Sequence, residues 1–248
     1  MENIKNLKNQ ILQGNCLDVM KYIPDKSIDM ILCDLPYGTT RNKWDSVIDL
    51  NLLWKEYKRI IKEKGAIVLT GQDKFSAKLM LSNEDWHRYN LIWDKKLISG
   101  FLNANRMPLR VHEDILVFYN KLPTYNPQKV RGNKNHSMGS MKTDVNRNYG
   151  KHGKVDNGKL LGEMKHPKSI ISFQKPHPSK CLHPTEKPVE LGRWLIRTFT
   201  NPGDLILDNT CGVGSFLVSA GEEKRDFIGI ELDNGYCKIA RERTSQFK

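Results

Sequence analysis

Asp34-Leu35-Pro36-Tyr37 places an acid, a proline and an aromatic directly after the apolar run Ile28–Cys33. Such a run reads as a buried strand that ends in a tight turn. These residue types suit one task, the gripping of a flat nucleobase that carries an exocyclic amine. The Tyr37 ring can stack on the base, while Asp34 and the carbonyl of Leu35 or Pro36 accept the two amine hydrogens. An amine on adenine or cytosine is a poor nucleophile because its lone pair is delocalised into the ring. Hydrogen bonds to both N–H groups draw electron density back onto nitrogen. The bland alternative is a proline turn with a capping acid.

A second stretch, Asp208-Asn209-Thr210-Cys211-Gly212-Val213-Gly214, follows the short apolar run Leu205–Leu207. Gly212 and Gly214 let the backbone turn tightly and approach a ligand before the next helix. In open α/β sheets, ligands sit outside the carboxyl ends of the strands. The next apolar run, Phe227–Ile230, ends in Glu231, an acid placed to hold two ribose hydroxyls. No G-x-G-x-x-G is present, so a dinucleotide pyrophosphate fits less well. Asp208 would repel phosphate and suits a cofactor with a positive centre or an amino group, such as S-adenosylmethionine. The plain alternative is a glycine turn. Together the two stretches point to methyl transfer onto a base, which must leave the duplex to reach such a pocket.

The elements that must position these residues follow from periodicity. Strands are predicted at Ile28–Cys33, Ala66–Thr70, Asn90–Trp93, Ile115–Tyr119, Leu205–Leu207 and Phe227–Ile230. Most are continuous apolar runs, as expected of strands covered on both faces. Leu50, Leu53, Trp54, Tyr57, Ile60 and Ile61 keep a helical spacing, with Gly65 read as the stop. Pro188 opens a helix through Leu191, Trp194, Leu195 and Phe199, ended by Asn201-Pro202-Gly203. Asp233 is placed to cap a last helix through Tyr236, Ile239 and Ala240. Strands alternating with helices predict an open, mostly parallel α/β sheet in a single domain, 1–248.

The stretch 126–180 breaks this rhythm. It holds twelve Lys or Arg against three acids, which is +9 of the chain's formal +12. It is read as an insertion crossing the face of the sheet, either a phosphate-backbone binder or a solvated loop. Tyr149 and Phe173 within it either wedge into an opened base stack or simply pack. Trp44 either lines a base pocket or sits in the core. The five cysteines are scattered without a C-x-x-C pair, and the seven histidines lack ligand spacing. Disulfides and a metal site are therefore not expected. No run is long enough to span a membrane, and the polar start argues against a signal peptide, so a cytoplasmic location is expected.

Asp34-Leu35-Pro36-Tyr37, with Gly38-Thr39-Thr40 and Asn42-Lys43-Trp44-Asp45, resembles the catalytic motif of S-adenosylmethionine-dependent DNA amino-methyltransferases. The usual motif is Asp-Pro-Pro-Tyr, so Leu35 is a departure that keeps the acid, the second proline and the aromatic. The catalytic motif precedes the cofactor motif, the permuted order of the β class. Asn15-Cys16-Leu17-Asp18 is similar to the family's segment on the adenine side of the cofactor. Arg110-Val111-His112-Glu113 matches a further family segment. His183-Pro184-Thr185-Glu186-Lys187-Pro188 resembles the stretch around the methionine end, with Lys187 either on the donor carboxylate or flanking a helix start. Asp208–Gly214 is similar to the cofactor loop, usually Asp-Pro-Phe-x-Gly-x-Gly.

The resemblance implies a Rossmann-like, doubly wound methyltransferase fold with the basic insertion as target-recognition region. It implies Asp34, Pro36 and Tyr37 as catalytic residues. It implies a donor site drawn from Asn15, Cys16, Asp18 and Asp34, from His183 and Lys187, and from Asp208, Cys211, Gly212, Gly214, Glu231 and Asp233. The expected acceptor is adenine N6 in double-stranded DNA, because the family more often pairs Asp at this position with adenine and Ser with cytosine. Cytosine N4, or a DNA-binding relative without turnover, are the alternatives. A homodimer is compatible with the family.

Overall fold

The alternating runs form the elements that their periodicity predicts. The computed structural model describes residues 4–38, 46–133, 145–146, 150–151, 163–177, 179 and 181–247. In chain order its first elements are α1 (Ile4–Leu7), β1 (Gln10–Gln13), α2 (Cys16–Val19), β2 (Ile28–Cys33) and α3 (Leu50–Ile60). There follow β3 (Ile61–Gly71), α4 (Asp73–Ser82), β4 (His87–Ser99) and β5 (Arg110–Phe118). Four short strands come next: β6 (Val130–Arg131), β7 (Val145–Asn146), β8 (Gly150–Lys151) and β9 (Met164–Lys165). The chain then runs through β10 (Ile170–Ser172), α5 (Val189–Phe199), β11 (Leu205–Asp208), α6 (Ser215–Glu222), β12 (Asp226–Glu231) and α7 (Asn234–Thr244).

Eight strands make the main sheet, in the order β1-β12-β11-β2-β3-β5-β4-β10. Only β5 runs against its two neighbours, and the other pairs are parallel. This is the expected mostly parallel, doubly wound α/β sheet. Along β2 the side chains alternate between two cores. Ile31 and Cys33 join Leu53, Trp54 and Tyr57 of α3 on one face. Met30 and Leu32 join Leu191 and Leu195 of α5 and Phe216 and Leu217 of α6 on the other. Each fully buried Leu or Ile contributes about 1.5–3 kcal/mol relative to exposure, so the sheet is pinned from both sides.

Caps set several helix starts. Asp49 accepts from the N–H groups of Asn51 and Leu52 to begin α3, and Asp233 accepts from Tyr236 to begin α7. Pro188 is the residue before α5, and Thr200 closes that helix just ahead of Asn201-Pro202-Gly203.

One sequence expectation needs correction, and the structure adds detail to two others. Gly65 does not end α3: the helix ends at Ile60 and the chain passes straight into β3, which contains Gly65. A Cβ there would lie 2.8 Å from the Asp29 carbonyl oxygen, so the glycine serves close strand approach rather than capping. The compact unit within the expected insertion spans Pro127–Lys168, narrower than 126–180. Residues beyond it return to the sheet, with Ile170–Ser172 paired in parallel to Ile92–Asp94. Phe173 packs against the second core, and its carbonyl accepts from Trp93 Nε1 at 2.9 Å, so it is not a wedge. Tyr149 and Trp44 lie outside the described residues.

Unit 127–168, taken by itself, has two antiparallel ladders, β6 with β9 and β7 with β8. An Arg131–Glu163 ion pair and a bond from Gly132 N to Glu163 O tie the first together.

Candidate active site

Register brings the two informative stretches together. Leu207 pairs with Ile31, which sets Asp208 at the end of β11 against Cys33 at the end of β2 and brings Thr210 to the Asp34 carbonyl. The helices following these two neighbouring strands, α3 and α6, pack on opposite faces, which makes this the switch point where open α/β sheets hold ligands. A cavity of about 420 Å³ opens there. Tyr37 and Gly212 both line it, so the catalytic and cofactor stretches share one cleft. Of the expected residues, Asn15, Cys16, Asp34, Pro36, Tyr37, His183, Lys187, Asp208, Cys211, Gly212 and Glu231 line this cavity, whereas Asp18, Gly214 and Asp233 do not.

The three outside it have other partners. Asp18 is exposed and pairs with Lys21 at 2.8 Å. Gly214 (φ +79) begins α6, and a Cβ on it would meet Ala240 at 3.1 Å, so it serves packing against α7. Asp233 caps α7 and donates its own N–H to Glu231 Oε1 at 2.9 Å.

Asp34 is held by three side chains. Lys187 Nζ donates to Oδ2 at 2.7 Å, Tyr37 Oη donates to Oδ1 at 2.8 Å, and Thr70 Oγ1 donates to the same oxygen. The Thr210 hydroxyl reaches back to the Asp34 carbonyl at 3.1 Å. A carboxylate offers about four acceptor sites, so these three donors leave room for roughly one amine hydrogen. Burial raises the Tyr37 phenol well above its ordinary value, and the Asp34 charge adds to it, so Tyr37 stays a donor. Its ring stacks on Phe75 with centroids 4.8 Å apart, and the Lys187 ammonium lies 5.7 Å from its centroid. Tyr37 is therefore a packed pillar under Asp34 as well as part of the cavity wall. Leu35, where the family more often has proline, is buried in the first core.

Sequence reading missed the charges behind Asp34. Lys187 also meets Glu113 Oε2 at 3.2 Å, and Glu113 Oε1 accepts from Lys95 at 3.2 Å. Burial alone would push the Lys187 ammonium down, but Asp34 and Glu113 together push it up. Burial would raise Glu113, yet Lys187 and Lys95 bring it below the usual carboxylate range. Lys187 thus bridges Asp34 and Glu113. The sequence signal was slight: Thr70 ends an apolar run and Glu113 stands two residues ahead of another.

The other half of the cavity is built differently. Glu231 accepts from Gly212 N through Oε2 at 2.8 Å and from Asp233 N through Oε1, which fixes the loop and leaves each oxygen a further acceptor site. Asp208 Oδ1 accepts from Cys33 Sγ at 3.2 Å and Thr210 N at 3.3 Å. Burial is the main force pushing the Asp208 carboxyl up to about 7, with the Asp34 and Glu231 charges adding to it and its hydrogen bonds opposing it. Neither Asp208 nor Glu231 has a Lys, Arg or His ion pair among the described residues. His183 stacks edge-on against Tyr236 at 4.6 Å, and burial lowers its ring below the ordinary value. A Cβ at Gly212 (φ +52) would meet nothing within 4 Å, so backbone there comes directly to a ligand. Two acids without an ion pair among the described residues, and a bare glycine, fit a nucleoside that carries a positive centre, as S-adenosylmethionine does.

The cavity at the switch point thus joins Asp34 on one side to Asp208 and Glu231 on the other. The sequence matches the DNA methylase family of N6 and N4 enzymes over residues 28–242. The chain belongs to this S-adenosylmethionine-dependent family. It is 29% identical to the type II methyltransferase M1.MboII of Moraxella bovis, covering 94% of this chain and 95% of that one. Its fold is similar to that of the M1.HpyAVI–SAM complex (TM-score 0.65, 20% identity, 94% and 98% of the two chains). It is also similar to the PvuII cytosine-N4-specific DNA methyltransferase (TM-score 0.69, 14% identity, 96% and 89%).

Proposed function

We propose that this DNA methylase modifies N6 of an adenine swung out of double-stranded DNA. The observation that carries the reading is the Asp34 carboxylate, fixed by Lys187, Tyr37 and Thr70 in the same cavity as Asp208, Gly212 and Glu231. When bound, S-adenosylmethionine supplies an electrophilic methyl on a positively charged sulfur. Glu231 and the Gly212 backbone hold its nucleoside part, Asn15, Cys16 and His183 flank it, and Asp208 complements its charge. Asp34 takes one amine hydrogen, a carbonyl of the Leu35-Pro36 turn takes the other, and the Tyr37 wall limits the base to one plane. Alignment of this kind can lower a barrier by roughly 7–11 kcal/mol. The basic stretch 126–180 is assigned to the phosphate backbone.

Cytosine N4 is the second reading, favoured by the likeness to a cytosine-N4-specific fold; the acid at position 34 favours adenine. Expression in a host lacking DNA methylation, followed by nucleoside mass spectrometry and methylation-sensitive sequencing, separates them. N6-methyladenine at one short sequence is expected. N4-methylcytosine alone would overturn the adenine assignment, and no modified base together with no donor binding would overturn the enzyme.

A further inference from the structure

One surface beside the cavity has a composition that neither donor binding nor folding explains. The connection between β4 and β5 leaves the sheet at Ser99 and returns at Arg110; Ser99, Gly100 and Arg110 line the cavity. Between them Phe101 is 73% exposed and Leu102 97% exposed. Ile98, Met107 and Val111, on the same hairpin, are exposed as well. Scattered apolar residues on a surface need no explanation, but a cluster at the rim of a site does. The segment is held by its own turns, with Asn103 N bonded to Gly100 O, Ala104 N to Phe101 O, and both Arg106 N and Met107 N to Asn103 O. Two large apolar side chains are thus presented outward on an ordered support. Residues 95–112 hold no acid; of their four cations Lys95 is buried against Glu113, Lys96 pairs with Asp94 and Arg110 pairs with Asp73, while Arg106 is exposed on the turn beside the apolar tip. An apolar tip beside an exposed arginine, on a stretch without acids, suits the interior of a base stack flanked by phosphates.

We propose that Phe101 and Leu102 enter duplex DNA as a wedge and hold open the stack from which the target base has swung into the adjoining cavity. The proposal rests on the reading that this cavity receives an extruded base. Unstacking a step is a main cost of extruding a base, and an inserted apolar side chain replaces part of the lost stacking. Asn103, Asn105 and Arg106, on the same exposed turn, are placed to meet base edges and backbone around the wedge.

The test uses duplex oligonucleotides carrying the sequence that the full-length enzyme methylates in host DNA. In one duplex the target base has its normal partner; in the other an abasic site faces it, which removes the pairing that must be broken. Phe101→Ala/Leu102→Ala should lower kcat/KM on the paired duplex by roughly 10- to 100-fold. On the abasic duplex the loss should shrink to within about threefold. Donor affinity should be unchanged, and Leu102→Met beside native Phe101 should retain activity. Equal losses on both duplexes, or none on either, would overturn the wedge. A variant that loses self-association in sedimentation, with equal losses on both duplexes, would assign the patch to a second copy of the chain and likewise overturn it. If the unaltered enzyme methylated neither duplex while binding donor, the base-in-cavity reading would fall first and the wedge with it.

Discussion

Asp208→Asn separates two roles that the buried acid combines. Both hydrogen bonds described for Asp208, from Cys33 Sγ and Thr210 N, reach Oδ1, so an amide oriented the same way keeps them. The substitution then imitates the protonated acid. The carboxyl sits at about 7 in the folded chain against an ordinary 3.8. At 1.36 kcal/mol per unit this amounts to a burden of about 4 kcal/mol on the folded state once the group is ionised in both states. The folded value is raised, so the folded state holds the proton more tightly. The burden is absent below about pH 4, grows between pH 4 and pH 7, and is complete above pH 7. Asp208→Asn should therefore stabilise the donor-free protein by up to about 4 kcal/mol at pH 8, or roughly 8–16 °C in melting temperature for a chain of this size. The gain should vanish near pH 4. Donor binding should move the other way. A positive donor favours ionised Asp208, so wild-type affinity should fall by up to about tenfold per pH unit below pH 7. The Asn variant should bind more weakly with this component of the pH slope removed. Thermal melts from pH 4 to 8 and calorimetric donor titrations from pH 5.5 to 8 measure both. A variant that melts no higher than wild type at pH 8 and binds donor equally well would refute the reasoning.

Lys187→Met should leave Asp34 and Glu113 facing each other without their shared cation, an uncompensated buried charge that costs about 3–5 kcal/mol. Turnover should fall by more than 100-fold with donor affinity nearly kept, read by methyl incorporation and calorimetry. Glu231→Ala removes the acceptor for Gly212 N and Asp233 N; charge-assisted bonds are worth about 1.5–3 kcal/mol, so donor affinity should fall at least about tenfold in a fluorescence titration. Gly192→Ala, where α5 meets α6, would press on Ser219 Oγ and lie 2.8 Å from Phe216 Cδ1. Overpacking should lower stability by about 1–3 kcal/mol in urea unfolding. DNA affinity should drop steeply between about 50 and 200 mM salt, as counterion release requires; a flat response in filter binding would remove the phosphate role given to 126–180.

Legibility in the sequence followed locality. Asp34 and Asp208 stand at the ends of apolar runs, and Gly212 and Glu231 lie at short fixed distances from Asp208, so each half of the site was readable from neighbours in the chain. That both halves share a cavity followed from the parallel-sheet rule. Thr70, Glu113 and Lys95 were not readable, because their meeting with Asp34 depends on the registers Cys33 with Leu69 and Thr70 with Ile115. Nothing local in β3, β4 or β5 announces those pairings. Edge strands β1 and β10 were missed for a related reason: Gln10–Gln13 and Ile170–Ser172 hold only two apolar residues each, too short a run to stand out. Gly65 was misread because a glycine that permits close strand approach looks the same in sequence as one that ends a helix.

The division of charge inside the cavity orders the reaction. Around Asp34 the acids are matched from within, because Lys187 lies between Asp34 and Glu113 and Lys95 completes the other side of Glu113. That half can keep its carboxylate oriented with no help from a ligand, as an acceptor for an amine requires. Around Asp208 and Glu231 the acids repel each other and are matched by backbone N–H groups and a thiol. That half gains most from a cation. Asp34 is among the charges that raise Asp208, so the two halves are coupled. A positive donor that draws Asp208 into its ionised form also screens Asp34 from the new charge. The cavity therefore favours filling its nucleoside half with a cation while holding the amine-binding half ready, and a neutral product with the same nucleoside should bind more weakly by the part of the coupling that depends on sulfur's charge.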